Sequence, residues 1–275
     1  MAIFVTKADG KKELFDREKV VRTCLRMGAA RQVAETVAKK IETSLYDGIE
    51  TQKILQMIFR QLSRHEPVVK HKIDLRKALS LMKSKPDFEF FIRALLSEHG
   101  YEVTPNQILN GKCVEHEVDA IARKDGLTYI VEVKHHSNYH VLTGLDVSRV
   151  ARAVFEDVTE GFELRLNSLK IDKAMIVCNT KFSEHAERYA ECRGIKNIGW
   201  NSPPDLNIQT MITEKKLYPI TYLKGLTIKT TERLTQAGII LLKQLTAKDP
   251  RELRRETRLP KEALDVIIKR ARMIV

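Results

Sequence analysis

The sequence is short of everything that would staple, anchor or export it. Its 275 residues include four cysteines, Cys24, Cys113, Cys178 and Cys192, widely spread and with no C-x-x-C pair. That spacing excludes a zinc ribbon and a disulfide framework and leaves buried free thiols as the default. No apolar run approaches the roughly 18 residues that a membrane span needs, and the N-terminus lacks the apolar region of a secretory signal. A soluble protein of the cytoplasm, away from membranes, is therefore expected. Acidic residues are also in deficit: 36 Asp and Glu against 48 Lys and Arg give a net charge of +12. Such an excess points to a polyanionic partner, and nucleic acid is the commonest. What is abundant is core-forming material, at 43% hydrophobic, enough for two or three domains.

The most informative stretch runs from Cys113 to His136. Asp125-Gly126, flanked by alternating apolar residues, is the strongest short-range signal for a two-residue β-hairpin. With that turn, Asp119 lies opposite Glu132 and Glu117 opposite Lys134, while Val118, Ala120 and Ala122 face Val133, Val131 and Tyr129 on an apolar surface. Two carboxylates directly across a strand pair repel and need compensation. A hard divalent cation with oxygen ligands would supply it, and Lys134 adds a positive charge on the same face.

Asp119 followed by Glu132-Val133-Lys134 resembles the D…(D/E)xK core of the PD-(D/E)xK nuclease superfamily, and more closely its Mrr-like branch. The likeness extends to the helix Phe88-Glu89-Phe90-Phe91-Ile92-Arg93-Ala94-Leu95-Leu96, the following Gly100-Tyr101-Glu102-Val103, and the later Phe182-Ser183 and Ala190-Glu191 to Gly194-Ile195. It spans roughly residues 86 to 200 and is more specific than the short motif alone. Val118 and His116-Glu117 depart from the family pattern. The resemblance implies a restriction-endonuclease-like fold, catalytic residues Asp119, Glu132, Lys134 and Glu89, and Mg²⁺ or Mn²⁺ held by Asp119, Glu132 and the carbonyl of Val133.

At the N-terminus, strands over 3–6 and 12–15 around Asp9-Gly10 precede a helix capped by Asp16. A second helix is expected from Ala30 to Tyr46, and a third capped by Thr51. Val5-Thr6-Lys7-Ala8-Asp9-Gly10, Asp16-Arg17-Glu18-Lys19 and Tyr46-Asp47-Gly48-Ile49-Glu50-Thr51 are similar to the ATP-cone, a mainly helical nucleotide-binding module. That resemblance implies ATP or dATP as effector, with Lys7 and Lys19 on phosphates, Val5 and Phe15 near the base, and polar contacts from Glu13 and Thr51.

Pro86 marks a first boundary and Ser202-Pro203-Pro204 a second, giving domains over 1–84, 85–203 and 204–275. In the middle domain, residues 101–112 read as loop or first strand, 145–166 as a helix, 173–178 as a central strand, and 183–193 as a helix capped by Ser183 and ended by Gly194 before a last strand over 195–200. The fold class is thus α/β: a mixed sheet flanked by helices between two mainly helical domains. His135, His136 and His140 form no metal set, because adjacent strand residues point to opposite faces.

The tail from Pro204 holds 15 basic against 8 acidic residues. Leu223-Lys224-Gly225-Leu226-Thr227-Ile228 and the helix from Lys229 look like a helix-hairpin-helix domain, with a second unit over 253–272. That resemblance implies DNA-phosphate binding by Gly225, Thr227 and Lys229 through a close backbone approach and helix N–H groups. Together these readings describe a metal-dependent DNA endonuclease under nucleotide control. Two alternatives remain at this level: a nucleotide-responsive DNA-binding regulator with an inactive nuclease fold, and a junction-resolving nuclease, which would act as a homodimer.

Overall fold

The computed structural model describes residues 2–275, which divide into two compact units. The first is built on residues 2–73. Strands β1 (Phe4–Thr6) and β2 (Lys12–Leu14) form an antiparallel hairpin, and β3 (Ile49–Glu50) pairs with β1 in parallel. Helices α1 (Arg17–Arg26), α2 (Arg31–Glu42) and α3 (Thr51–His65) bury Val21, Cys24, Val37, Ile41, Ile58 and Leu62 in one core. Asp16 caps α1 as expected, accepting from the Glu18 amide at 2.8 Å. Two expectations are corrected. The helix expected to reach Tyr46 ends at Glu42, and Thr51 is the first residue of α3, with Glu50 at the N-cap and no side-chain cap.

The second unit, residues 74–222 with 226–273, opens with α4 (Leu75–Ser80) and α5 (Glu89–Glu98). A five-stranded sheet follows in the order β10-β8-β6-β5-β4, built from β4 (Glu102–Asn110), β5 (Glu115–Lys124), β6 (Leu127–Lys134), β8 (Lys173–Cys178) and β10 (Lys196–Ile198). The strands β6, β8 and β10 run parallel, whereas β5 is antiparallel to both its neighbours. Short β7 (Leu142–Thr143) and β9 (Lys181–Phe182) pair apart from this sheet. The segment left open as loop or strand is β4, nine residues long.

Helices α6 (Leu145–Glu163) and α7 (Glu184–Cys192) cover one face through Ala151, Val158, Ala186 and Ala190, meeting Ile121, Ile130, Ala174 and Ile176. On α5, Phe91, Ile92, Leu95 and Leu96 are buried, and this helix packs on β4 and β5. Continuous burial of Ala174 through Cys178 fits a strand covered on both faces. Ser183 caps α7, and Gly194 takes the left-handed conformation, φ 67°, beyond its end.

The tail contributes α8 (Ile208–Lys215), α9 (Ile228–Gln236), α10 (Leu242–Ala247), α11 (Pro250–Thr257) and α12 (Lys261–Arg272). Thr227 caps α9, and the residue before Leu223 closes a 3₁₀ turn, Ile220–Tyr222, in place of a leading α-helix. Between α11 and α12, Arg258 adopts φ 52°, the conformation for which glycine is the usual choice. His99 Nε2 bonds the Met211 carbonyl at 3.0 Å, and Lys83 pairs with Glu232 at 3.0 Å, so tail helices and sheet share one unit.

Candidate active site

The hairpin register is the expected one near its turn: Lys124 pairs with Leu127, Ile121 with Ile130 and Ala120 with Val131. Asp125 and Gly126 both have positive φ, 53° and 75°, as a type I′ turn requires. The ladder then stops, which corrects the expected pairings of Asp119 with Glu132, Val118 with Val133 and Glu117 with Lys134. Beyond Ala120, β5 keeps only β4 as partner, while Glu132, Val133 and Lys134 pair with Ile176, Val177 and Cys178 of β8. The expected alternation also fails here, because Val118 and Ile121 both enter the core shared with α6 and α7. The β4–β5 ladder skips Asn106 and Asp119, and Asn106 has φ 34°. The register is the same on both sides of this interruption, so no residue is inserted, and the Asp119 carboxylate lies beside Lys85 just ahead of α5.

The buried carboxylate of Asp119 fills the gap where the ladder opens. Its Oδ2 accepts from the Val133 amide at 2.7 Å, so the acid is fixed to the backbone of the Glu132-Val133-Lys134 strand. Its Oδ1 lies 3.4 Å from Lys85 Nζ. The same ammonium stands 3.0 Å from Oε1 of Glu89, which is 4% exposed at the start of α5. That approach is an ion pair at hydrogen-bonding distance. Arg93, one turn along α5, lies 3.8 Å from Glu89 Oε2 and donates to Asn106 Oδ1 at 2.9 Å. Burial, and then the neighbouring Asp119 charge, push the Glu89 carboxyl above its ordinary range against the pull of Lys85. Lys85 is held protonated above its ordinary range, chiefly by Glu89. Glu132 and Lys134, two apart on β6, pair with each other at 2.7 Å.

Asp119 thereby touches the Val133 amide and, through Lys85, meets Glu89, whereas Glu132 and Lys134 pair with each other farther along β6. Lys85 is absent from the residues the sequence singles out; its one signal is its place four residues before Glu89 in a polar stretch ahead of a helix. Among the described residues, no group of three or more His, Cys, Asp and Glu is arranged to hold a metal ion. The donor chemistry nevertheless suits a hard cation, with the carboxylate oxygens of Glu89 and Asp119 converging on Lys85. The histidines do other work. His135 Nε2 bonds the Leu79 carbonyl at 3.0 Å, and His136 reaches Thr143 Oγ1 at 3.2 Å.

Three family models match in succession: an ATP cone domain over residues 3–80, a restriction endonuclease domain over 81–199, and an AF1548-like C-terminal domain over 218–275. An uncharacterized protein of Archaeoglobus fulgidus is 37% identical over 181 residues, covering 66% of this chain and 98% of its own length. The chain belongs to the AF1548-like family. A second A. fulgidus protein, also described as uncharacterized, is 53% identical over 38 residues, 14% of this chain and 81% of its own. The crystal structure described as the protein of unknown function AF1548 aligns with a TM-score of 0.57 and 35% identity, covering 67% of this chain and 94% of that one. The restriction endonuclease match points to a nuclease, and the ATP cone match to nucleotide binding.

In the first unit, Glu13 joins the two lysines expected on phosphates, pairing with Lys7 and, at 2.7 Å, with Lys19. Lys19 and then Lys7 hold the Glu13 carboxyl below its ordinary range. Val5 is buried in the core, Phe15 packs at its margin, and Thr51 is half-buried at the start of α3. Gly225 is exposed with φ 83°, and Thr227 and Lys229 are exposed.

Proposed function

We propose that the AF1548-like chain described here is a divalent-metal-dependent DNA endonuclease that hydrolyses phosphodiester bonds and responds to ATP or dATP. The observation that carries this reading is the 2.7 Å bond from the Val133 amide to Asp119, which joins an acid on one strand to the Glu-x-Lys of the next. Asp119, Glu132 and the Val133 carbonyl would hold Mg²⁺ or Mn²⁺, with Glu89 in support. When bound, such an ion polarises a phosphodiester oxygen and lowers the pKa of water. Lys134, kept in place by Glu132, orients the attacking water and puts positive charge beside the oxygens that become more negative as the bond breaks. Glu89 and Asp119 share a cation already, in Lys85, which indicates how strongly this corner favours positive charge.

The domains over 1–84, 85–203 and 204–275 would divide the work. In the first, Lys7 and Lys19 would exchange Glu13 for a triphosphate. In the last, a helix-hairpin-helix reading gives Gly225, Thr227 and Lys229 phosphate contacts with little sequence preference. The test is incubation with supercoiled plasmid, linear duplex and a four-way junction, with Mg²⁺ or EDTA and with or without ATP. Cutting that needs Mg²⁺ and is lost in Asp119→Ala and Lys134→Ala supports the reading. DNA binding without any cutting, unchanged by either substitution, would leave an inactive DNA-binding regulator.

A further inference from the structure

Arg76, on α4, is a strongly held cation of the second unit that the nuclease chemistry leaves without a task. Its guanidinium carbon lies 5.5 Å from the ring centroid of Tyr139 and 6.0 Å from that of Trp200. Both are cation–π distances, and they fix the flat group by its aromatic neighbours. Its Nε is buried with no hydrogen-bond partner. Asp74, two residues earlier, attracts it but spends Oδ1 on the Lys77 amide at the cap of α4. Burial pulls the Arg76 pKa down from its ordinary value, so the charge is held where solvent compensates it poorly. A guanidinium braced by rings, with its Nε–H unpaired, fits an oxyanion as partner.

Its place in the fold says which oxyanion. Glu132, Ile176 and Asn197 lie level across β6, β8 and β10, as do Val133, Val177 and Ile198. Trp200, two residues past the end of β10, therefore stands at the same edge of the sheet as Lys134. Two strand spacings separate β10 from β6, about 10 Å. Tyr139, five residues after Lys134, meets the same guanidinium as Trp200. Along one DNA strand the phosphates rise about 3.4 Å per nucleotide, so a strand engaged at Glu132 and Lys134 would carry another phosphate within about three nucleotides of Arg76.

We propose that Arg76, braced by Tyr139 and Trp200, binds a phosphodiester of the DNA strand a few nucleotides from the bond that is cut. The proposal rests on the nuclease reading above and adds a substrate contact to it.

Trp200 is the sole tryptophan of the chain, so its emission reports on this site without a label. The full-length protein in EDTA is titrated with duplex DNA and, separately, with ATP, and binding of labelled duplex is followed by anisotropy over a range of salt. Expected are a change in Trp200 emission with DNA and not with ATP, and a loss of at least about tenfold in affinity for Arg76→Met. The slope of log affinity against log salt should become shallower by about 0.9, the value for one phosphate contact. Arg76→Lys, which keeps the charge but not the planar fork, should fall between, and thermal unfolding checks both variants. If Arg76→Met fails to fold, Arg76→Lys and the Trp200 signal decide. Wild-type DNA binding with unchanged affinity and slope in the variants, or Trp200 moved by ATP alone, overturns the Arg76 site and leaves the nuclease reading standing. Failure of the wild-type protein to bind DNA at all overturns both.

Discussion

The Val133 amide donates to Oδ2 of Asp119 at 2.7 Å, in place of the backbone carbonyl that a continuing ladder would have offered. One side chain thus ends a strand pair and anchors an acid beside a Glu-x-Lys strand. A buried amide left without this acceptor costs about 1–3 kcal/mol.

Asp119→Asn keeps an acceptor for that amide and removes the charge. Thermal melting should show it close to wild type, whereas Asp119→Ala should be destabilised by about 1–3 kcal/mol. Plasmid cleavage should fall at least about 100-fold in both. Cleavage by Asp119→Asn at the wild-type rate would deny the acid its chemical role.

Lys85 is half of a cation-for-cation exchange if the corner it shares with Glu89 and Asp119 takes a metal ion. Lys85→Ala should bind Mn²⁺ more tightly than wild type by calorimetry. Unchanged or weaker Mn²⁺ uptake would mean that the ammonium supports the acids without competing for their place.

Asp157 anchors the turn before β5. It accepts from the Cys113 amide at 2.8 Å and meets His116 Nε2 at 2.8 Å, and the His116 bond, ahead of the backbone amides, drives its carboxyl well below the usual range. A depressed folded-state pKa contributes stability that is present above the ordinary carboxylate value, about 4, and is lost as pH falls through the folded-state value. Asp157→Asn should therefore lower the melting temperature most near neutral pH. The difference from wild type should shrink in strong acid, and a gap that stays constant from pH 7 to pH 2 would contradict this origin.

Gly161 on α6 lies against the chain at the end of β4. An added Cβ would stand 2.5 Å from the Asn110 carbonyl oxygen and 2.8 Å from the Gly111 carbonyl carbon, both backbone atoms with little room to move. Gly161→Ala should destabilise the sheet unit by about 1–3 kcal/mol, measured by denaturant unfolding.

In the first unit, loss of Lys7 or Lys19 should weaken ATP and dATP binding about tenfold, or about 1.4 kcal/mol, by calorimetry. Equal affinity in Lys7→Ala, Lys19→Ala and wild type would exclude the cluster around Glu13 as the phosphate site.

Much of the candidate site is legible in the chain because its signals are local. Asp125-Gly126 permits one tight turn, and that turn fixes which residues of β5 and β6 lie opposite each other. Asp16 and Ser183 begin helices because their oxygens take up amides that no helix can pair. The failures are of the opposite kind. Lys134 does not pair with Glu117, because the β5–β6 ladder ends at Ala120 and Val131, beyond which the Asp119 side chain takes the Val133 amide.

By itself the sequence determined the hairpin, the order of helices and strands, and the candidacy of Asp119, Glu132 and Lys134, since periodicity, turn residues and spacing act over a few neighbours. The tertiary structure alone decided that Asp119 turns toward α5 and that Lys85 stands between it and Glu89. It also brought Tyr139 and Trp200 to Arg76. The direction of a side chain at an irregular strand end is set by packing and charge from segments distant along the chain, and no local pattern encodes it.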